Sequence, residues 1–218
     1  MKRPTAWSYS AYALYSQCPL KYKLEKIDKL PQPENPAFVK GHAWHKKAEN
    51  FLRGVEKTLP AELVKFELSF QQLKTLEPLV EQQWGFDAGW KPTEWFGKDT
   101  WFRSVADAAV LYPDNTAETI DHKTGKAYDT NEEQIETQAL SVMCRYSEVK
   151  SVTARLWYLE TGQEVVREFG VSQRDELKAK WAAKVGPMFA DTRFAPRPNS
   201  RCRWCAFSKY AGGPCKVA

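Results

Sequence analysis

Two residues of opposite charge, Asp121 and Lys123, lie two positions apart within residues 119–125. On a β-strand, side chains at this spacing project from the same face, so a carboxylate and an amine would share one site. Phosphodiester hydrolysis needs carboxylates that hold Mg²⁺ or Mn²⁺, which activates water and neutralises developing charge, and a lysine can orient that water. The pair is therefore a candidate centre for this chemistry.

A further carboxylate, Asp107, interrupts the small apolar run of residues 105–110. Burying it is costly unless a partner compensates its charge, and a shared metal ion would do so. A five-residue hairpin loop or a bulge would place Asp107 opposite Lys123 and diagonal to Asp121, whereas a four-residue loop would place them on opposite faces. A structural ion pair between Asp107 and Lys123 is the alternative interpretation.

Two predicted helices can bring further polar side chains to this site. His45 and Glu49 are four residues apart, so both can face the same metal ion. Gln134 and Gln138 repeat this spacing on the helix after the hairpin, where they could orient the lysine or contact phosphates. A structural histidine and a solvated glutamine face are the corresponding alternatives.

The cysteines form a second candidate metal site. Cys202 and Cys205 have the C-x2-C spacing that lets two thiolates hold one metal centre, and Cys215 follows in the same irregular tail. Cys18 is the natural fourth ligand, whereas Cys144 lies beside an apolar helical stripe and is expected in the core. Four thiolates suit zinc or an iron-sulfur cluster, so the spacing leaves both open.

Hydrophobic periodicity predicts the elements that position these residues. Helices are expected over residues 8–17, 37–53, 70–84, 130–146 and 172–189, and strands over residues 101–112, 117–123, 152–160 and 163–171. Thr130 and Glu133 form a possible capping box at the start of the fourth helix. This order predicts an α/β fold with a mixed central sheet flanked by helices.

Composition limits the class of protein. The 218 residues are 43% hydrophobic with a formal net charge of +5, which fits one domain over residues 1–218 and permits a polyanionic partner. Neither a secretory signal nor a membrane-spanning run is predicted, so we expect a cytoplasmic protein without a membrane partner. Trp90, Trp95 and Trp101 could stack on unpaired bases, with core packing as the alternative.

Four segments together resemble the RecB and AddB nucleases and the CRISPR-associated RecB-like exonucleases, especially their small phage-encoded relatives. The segment Ser8 to Tyr22 resembles a serine-rich helix start followed by Cys-Pro, and Gly41 with His45 resembles a Gly-x-x-x-His motif. Residues 103–107 resemble the strand with the first metal-binding aspartate. Residues 121–125 resemble the Asp-Tyr-Lys-Thr-Gly signature, with His122 in place of the tyrosine.

The resemblance implies a PD-(D/E)XK, restriction-endonuclease-like core and a deoxyribonuclease, specifically an exonuclease dependent on Mg²⁺ or Mn²⁺. It implies that His45, Asp107 and Asp121 bind the metal with the His122 carbonyl. Lys123 would assist catalysis and Gln138 would match the helix glutamine of the family. The expected substrate is linear or single-stranded DNA in recombination, repair or phage DNA metabolism, with a recombination or replication protein as a further partner.

The same resemblance implies that Cys18, Cys202, Cys205 and Cys215 bind a [4Fe-4S] cluster. The cluster would join residues 1–30 and 193–218 into one cysteine-cluster region. Two alternatives remain: a catalytically silent nuclease-fold protein that binds DNA or a partner, and an endonuclease with zinc at the cysteine site. A phage-encoded member would act in the host cytoplasm.

Overall fold

Six strands form a mixed sheet in the computed structural model, which describes residues 3–125 and 132–217. The strands are β1 (Leu79–Phe86), β2 (Pro92–Thr93), β3 (Phe102–Leu111), β4 (Thr116–Lys123), β5 (Ser151–Tyr158) and β6 (Gln163–Gly170). Their order is β2-β1-β3-β4-β5-β6, and the β4–β5 pair is parallel while the other neighbours are antiparallel. The predicted mixed α/β sheet is confirmed.

The α-helices precede, interrupt and follow this sheet. They are α1 (Tyr9–Gln17), α2 (Pro19–Tyr22), α3 (Pro36–Leu52), α4 (Glu67–Thr75), α5 (Glu132–Arg145) and α6 (Arg174–Ala190). Ser8 caps α1 by accepting a hydrogen bond from the Ala11 amide, as its position before an apolar helix predicts. The proposed cap Thr130 of α5 lies outside the described residues.

The chain divides into two compact units, Asn35–Lys178 and Met1–Glu34 with Ala179–Ala218. The first contains the sheet, and its core packs α3 and α4 against the strands through residues such as Phe51, Phe70, Ile120 and Trp157. In the second, Trp7 stacks on Trp181 with ring centroids 5.5 Å apart. That the whole chain is a single domain stays a prediction.

The β3–β4 hairpin decides which side chains share a face. Leu111 pairs with Ala117 and Ala108 with Ile120, so five residues, 112–116, form the loop. Ladder pairing ends at Ala108 and Ile120, so the expected pair of Asp107 with Lys123 does not form. The reason is that the strands separate at this point, where the Asp107 carboxylate accepts a hydrogen bond from the His122 amide.

One predicted element is wrong. The helix expected over residues 70–84 ends at Thr75, and β1 begins at Leu79. Pro78 explains the break because it disfavours helical geometry at the preceding residue, and Glu77 has a positive φ of 49°. Strand β1 pairs with β3 across the sheet, so the error concerns an element beside the candidate site.

Within the described residues, no helix is both long enough and apolar enough to cross a membrane.

Candidate metal and catalytic site

The site begins where β3 and β4 stop pairing. The last antiparallel pair on this side is Ala108 with Ile120, and the next carboxylate, Asp107, accepts a hydrogen bond of 2.7 Å from the His122 backbone amide. A side chain therefore satisfies a backbone donor that the ladder leaves unpaired. Both Asp107 and Asp121 are buried beside this opening.

Helix α3 brings His45 to this opening. The Nδ1 atom of His45 lies 3.2 Å from Oδ2 of Asp107. One turn earlier, Gly41 lies so close to Thr124 that an added Cβ would approach its Oγ1 to 3.2 Å. The glycine of the Gly-x-x-x-His motif therefore lets α3 approach the end of β4 and sets the position of the histidine.

His45, Asp107 and His122 offer ligand atoms that all lie within 4.8 Å of one another. Burial opposes a charged His45, but the hydrogen bond and negative charge of Asp107 outweigh it and raise the pKa of His45 to about 9. Burial alone would raise the pKa of Asp107. The hydrogen bond to His45, followed by the positive charge of that side chain, outweighs burial and lowers the pKa below its usual range. Burial lowers the pKa of His122 to about 4, so this imidazole is neutral.

Asp121 is surrounded by polar groups from β4 and α5. Its Oδ2 lies 2.5 Å from Nζ of Lys123, and its Oδ1 accepts hydrogen bonds from Nε2 of Gln134 at 2.6 Å and of Gln138 at 2.9 Å. Lys123 also donates to Oε1 of Gln134 at 2.7 Å. Gln134 therefore bridges the two charged residues, and the polar face predicted for α5 orients the lysine.

This arrangement suits a divalent cation. Burial raises the pKa of Asp121, and the negative charge of Asp107 adds to that effect while Lys123 opposes it. Two buried carboxylates near each other repel unless positive charge separates them. Carboxylate oxygen is also the donor that Mg²⁺ and Mn²⁺ prefer.

Sequence analysis missed a further acidic residue, Glu81. It lies on β1 between Val80, which pairs with Ala108, and Gln82, which pairs with Ala106, so the register places it opposite Asp107. Burial, followed by the charge of Asp107, raises the pKa of Glu81 to about 7. Its positive φ of 51° marks a local distortion of the strand. The break at Pro78 was the signal that could have revealed this strand.

A groove leads from solvent to these residues, with Phe38, His42 and Thr124 among those that line it. Glu49 also lines the groove, but its carboxylate forms ion pairs with Lys46 at 2.8 Å and Arg53 at 2.9 Å. Glu49 therefore faces the same groove as His45. Its negative charge, however, is already neutralised by Lys46 and Arg53.

These features occur within a known fold family. The family model described as the PD-(D/E)XK nuclease superfamily matches residues 6–210. The chain belongs to the PD-(D/E)XK nuclease superfamily. Members typically use Mg²⁺ or Mn²⁺, in agreement with the donor set around Asp107.

Solved structures resemble this PD-(D/E)XK chain in fold. The crystal structure of SSO0001 matches with a TM-score of 0.50 and 15% identity, covering 100% of this chain and 90% of that one. A protein from Eubacterium rectale, provisionally assigned as an exonuclease, matches with a TM-score of 0.50 and 12% identity, covering 92% and 87%. No curated protein matches the chain in sequence.

Four cysteines of this PD-(D/E)XK protein line one cavity in the smaller unit: Cys18, Cys202, Cys205 and Cys215. The Arg197 amide donates to Sγ of Cys18 at 3.4 Å, and the Asn199 amide donates to Sγ of Cys202 at 3.3 Å. Among the described residues, no three cysteine sulfurs lie within 4.8 Å of one another.

The fifth cysteine, Cys144, lies on α5 in the larger unit. Burial raises the pKa of its thiol to about 11, so it is protonated at neutral pH. Its side chain is only partly buried, so Cys144 lies at the edge of the core and not inside it as expected.

Proposed function

We propose that this chain is a metal-dependent deoxyribonuclease, acting as an exonuclease on linear or single-stranded DNA in recombination, repair or phage DNA metabolism. The observation that carries the proposal is the presence of two buried carboxylates, Asp107 and Asp121, where β3 and β4 stop pairing, with Lys123 beside Asp121. A structural ion pair alone would need one carboxylate. Once His45 is deprotonated, two buried carboxylates with one lysine leave negative charge for a cation.

Side chains from α3, β3 and β4 would hold Mg²⁺ or Mn²⁺. His45, Asp107 and Asp121 are the proposed ligands, together with the main-chain carbonyl of His122. The ion supplies Lewis acidity and lowers the pKa of water when bound. Protonated His45 must lose one of its two ring protons before a ring nitrogen can coordinate.

Lys123 is positioned for the chemical step. Its ammonium group forms an ion pair with the carboxylate of Asp121 and donates a hydrogen bond to Gln134, so its position is set before substrate arrives. An ammonium held beside the metal ligands can orient the attacking water and stabilise charge on the phosphate oxygens. Gln134 and Gln138 would act through Asp121 and Lys123 as positioning residues.

The preference for DNA ends rests on the likeness of the Gly-x-x-x-His and Asp-x-Lys-Thr-Gly segments to exonuclease families. The provisional assignment of the Eubacterium rectale protein is consistent with it. The net charge of +5 favours a polyanionic substrate.

We further propose that the four cysteines around the cavity bind a [4Fe-4S] cluster. The two backbone amides that donate to Cys18 and Cys202 are suited to thiolates, which accept stronger hydrogen bonds than neutral thiols. Four thiolates could also hold zinc. The preference for a cluster over zinc rests on the resemblance to the iron-sulfur members of the RecB-like nucleases.

The deciding experiment compares end-labelled linear single- and double-stranded DNA with closed circles, in Mg²⁺ or Mn²⁺, using wild type and Asp121→Asn. Loss of linear DNA with wild type alone supports the exonuclease. Cleavage of circles at an equal rate would indicate an endonuclease. DNA binding without cleavage by either protein would indicate a silent nuclease-fold binder.

A further inference from the structure

A strip of exposed sheet connects the candidate site to an aromatic cluster at the start of β3. On one face of β3, Arg103, Val105 and Asp107 alternate, and Val105 is 37% exposed. Its antiparallel partner on β1, Gln83, is also exposed. A path on the protein surface therefore runs along the sheet from the carboxylates to Arg103.

Arg103 joins two aromatic side chains at the end of this strip. Its guanidinium carbon lies 5.2 Å from the ring centroid of Phe96 and 5.7 Å from that of Trp95, and its Nε donates to the Trp95 carbonyl at 2.8 Å. Phe96 is 82% exposed, whereas Trp90, which sequence analysis also considered for stacking, is 5% exposed. Among the described residues, no carboxylate forms an ion pair with Arg103, so its charge is not neutralised.

We propose that Phe96, Trp95 and Arg103 form a platform that binds the single-stranded part of a DNA substrate a few nucleotides from the cleaved phosphate. This inference rests on the proposed nuclease function and specifies its substrate. An exposed aromatic ring offers a stacking surface to any unpaired base, and an unpaired arginine beside it suits the adjoining phosphate.

The spacing agrees with one continuous strand. Asp107 is four positions after Arg103, which corresponds to about 13 Å along β3. A strand with stacked bases covers this distance in about four nucleotides at about 3.4 Å each, and an extended strand needs fewer. A dinucleotide held at the metal site would not reach the platform, but an eight-nucleotide strand would.

This reach defines the kinetic test. For Phe96→Ala, the ratio of kcat/KM for an eight-nucleotide single strand to that for a dinucleotide should fall about tenfold, because one base loses its stacking partner. Phe96→Trp should restore the ratio, whereas Phe96→Leu, which keeps apolar bulk without a ring, should not. Leu68→Ala, which removes a 78% exposed side chain on α4, is the matched control and should leave the ratio as in wild type.

A binding measurement keeps the test independent of cleavage. Fluorescence anisotropy with a labelled eight-nucleotide strand in Ca²⁺ should show about tenfold weaker binding for Phe96→Ala. Arg103→Gln should reduce the steepness of the plot of log affinity against log salt by the amount expected for about one lost phosphate contact. Arg103→Lys keeps the positive charge and should leave this slope unchanged. Wild type and Phe96→Ala should bind a blunt duplex, which offers no unpaired base, with equal affinity.

Each result is decisive for the platform. Equal binding and an equal kinetic ratio for wild type and Phe96→Ala would overturn it. An equal loss of kcat/KM on the dinucleotide and on the longer strand would also overturn it, and so would a loss of affinity confined to duplex DNA. If wild type cleaves no DNA, the nuclease proposal fails, while weakened binding of the single strand by Phe96→Ala would still support the platform.

Discussion

The Asp107 carboxylate accepts a hydrogen bond from the His122 backbone amide, 2.7 Å away, at the point where β3 and β4 separate. The same oxygen, Oδ2, lies 3.2 Å from Nδ1 of His45. One carboxylate oxygen thus links the end of the hairpin to helix α3. Asp107 has a structural role and a proposed metal-binding role that substitutions can separate.

Asp107→Ala should lower the free energy of unfolding by about 1–3 kcal/mol, because the buried His122 amide loses its acceptor. Asp107→Asn keeps an acceptor oxygen and should lose less stability. Both variants should lose cleavage by a factor of about 100 or more, since neither supplies a charged ligand. Urea unfolding and DNA cleavage measure the two effects. Equal stability of the two variants would show that the hydrogen bond contributes little.

The sequence predicted the hairpin that carries this relationship, but not all of its pairing. The alternation around Asp107 and Asp121 and the turn residues between them define two strands. The residue that lies opposite Asp107 depends on where ladder pairing between β3 and β4 begins and ends. The conformation of the folded turn decides this. The register therefore had to come from the structure.

Strand β1 shows a different limit. Apolar residues at helical spacing continue from α4 into β1, at Leu73, Leu76 and Val80. This spacing predicts one helix that continues past Pro78. Glu81 reaches Asp107 through pairing between β1 and β3, a contact that local sequence does not encode. By contrast, Gly41 and His45 lie on one helix, where a fixed spacing determines a fixed geometry.

Lys123→Ala should abolish cleavage, with a loss of about 100-fold or more, while the fold stays intact. Gln134→Ala should cost less, because Asp121 still holds the lysine. The Gln134 variant should mainly lower kcat, since a misplaced lysine affects the chemical step more than binding. Steady-state kinetics with circular dichroism would check both. Full activity of Lys123→Ala would refute the proposed role of the lysine.

Binding of Mn²⁺ should depend on pH through His45. Because the pKa of His45 is raised to about 9 by Asp107, the metal must displace a proton at neutral pH. Apparent affinity should therefore rise with pH up to about 9. Calorimetry in two buffers of different ionisation enthalpy measures the proton released, and His45→Asn should release fewer protons than wild type.

The same ion pair should affect stability without metal. The pKa of His45 is higher in the folded state than its ordinary value of 6.5, so protonated His45 stabilises the fold. This contribution is complete below about pH 6.5 and is lost as pH rises through about 9. Between these limits, the melting temperature of metal-free wild type should fall more than that of His45→Asn. Parallel curves would argue against the pair.

Glu81 combines a positive φ with a half-buried carboxylate, a strained position of the kind that often occurs at functional sites. Glu81→Gly should be more stable than Glu81→Ala by about 1 kcal/mol, because glycine adopts a positive φ without a Cβ clash. Both should bind Mn²⁺ about tenfold or more weakly than wild type. Glu67→Gln, on the exposed surface of α4, is the control. Unchanged metal affinity would exclude Glu81 from the site.

If the four cysteines bind a cluster, substitutions of Cys202 and Cys144 should have different effects. Cys202→Ser should reduce both iron content and the absorbance near about 400 nm of anaerobically purified protein, and should lower the melting temperature. Cys144→Ala should keep iron and absorbance, because its thiol is protonated and lies in the other unit. Zinc in place of iron in wild type would overturn the cluster but retain the site. Unchanged metal content in Cys202→Ser would remove that residue as a ligand.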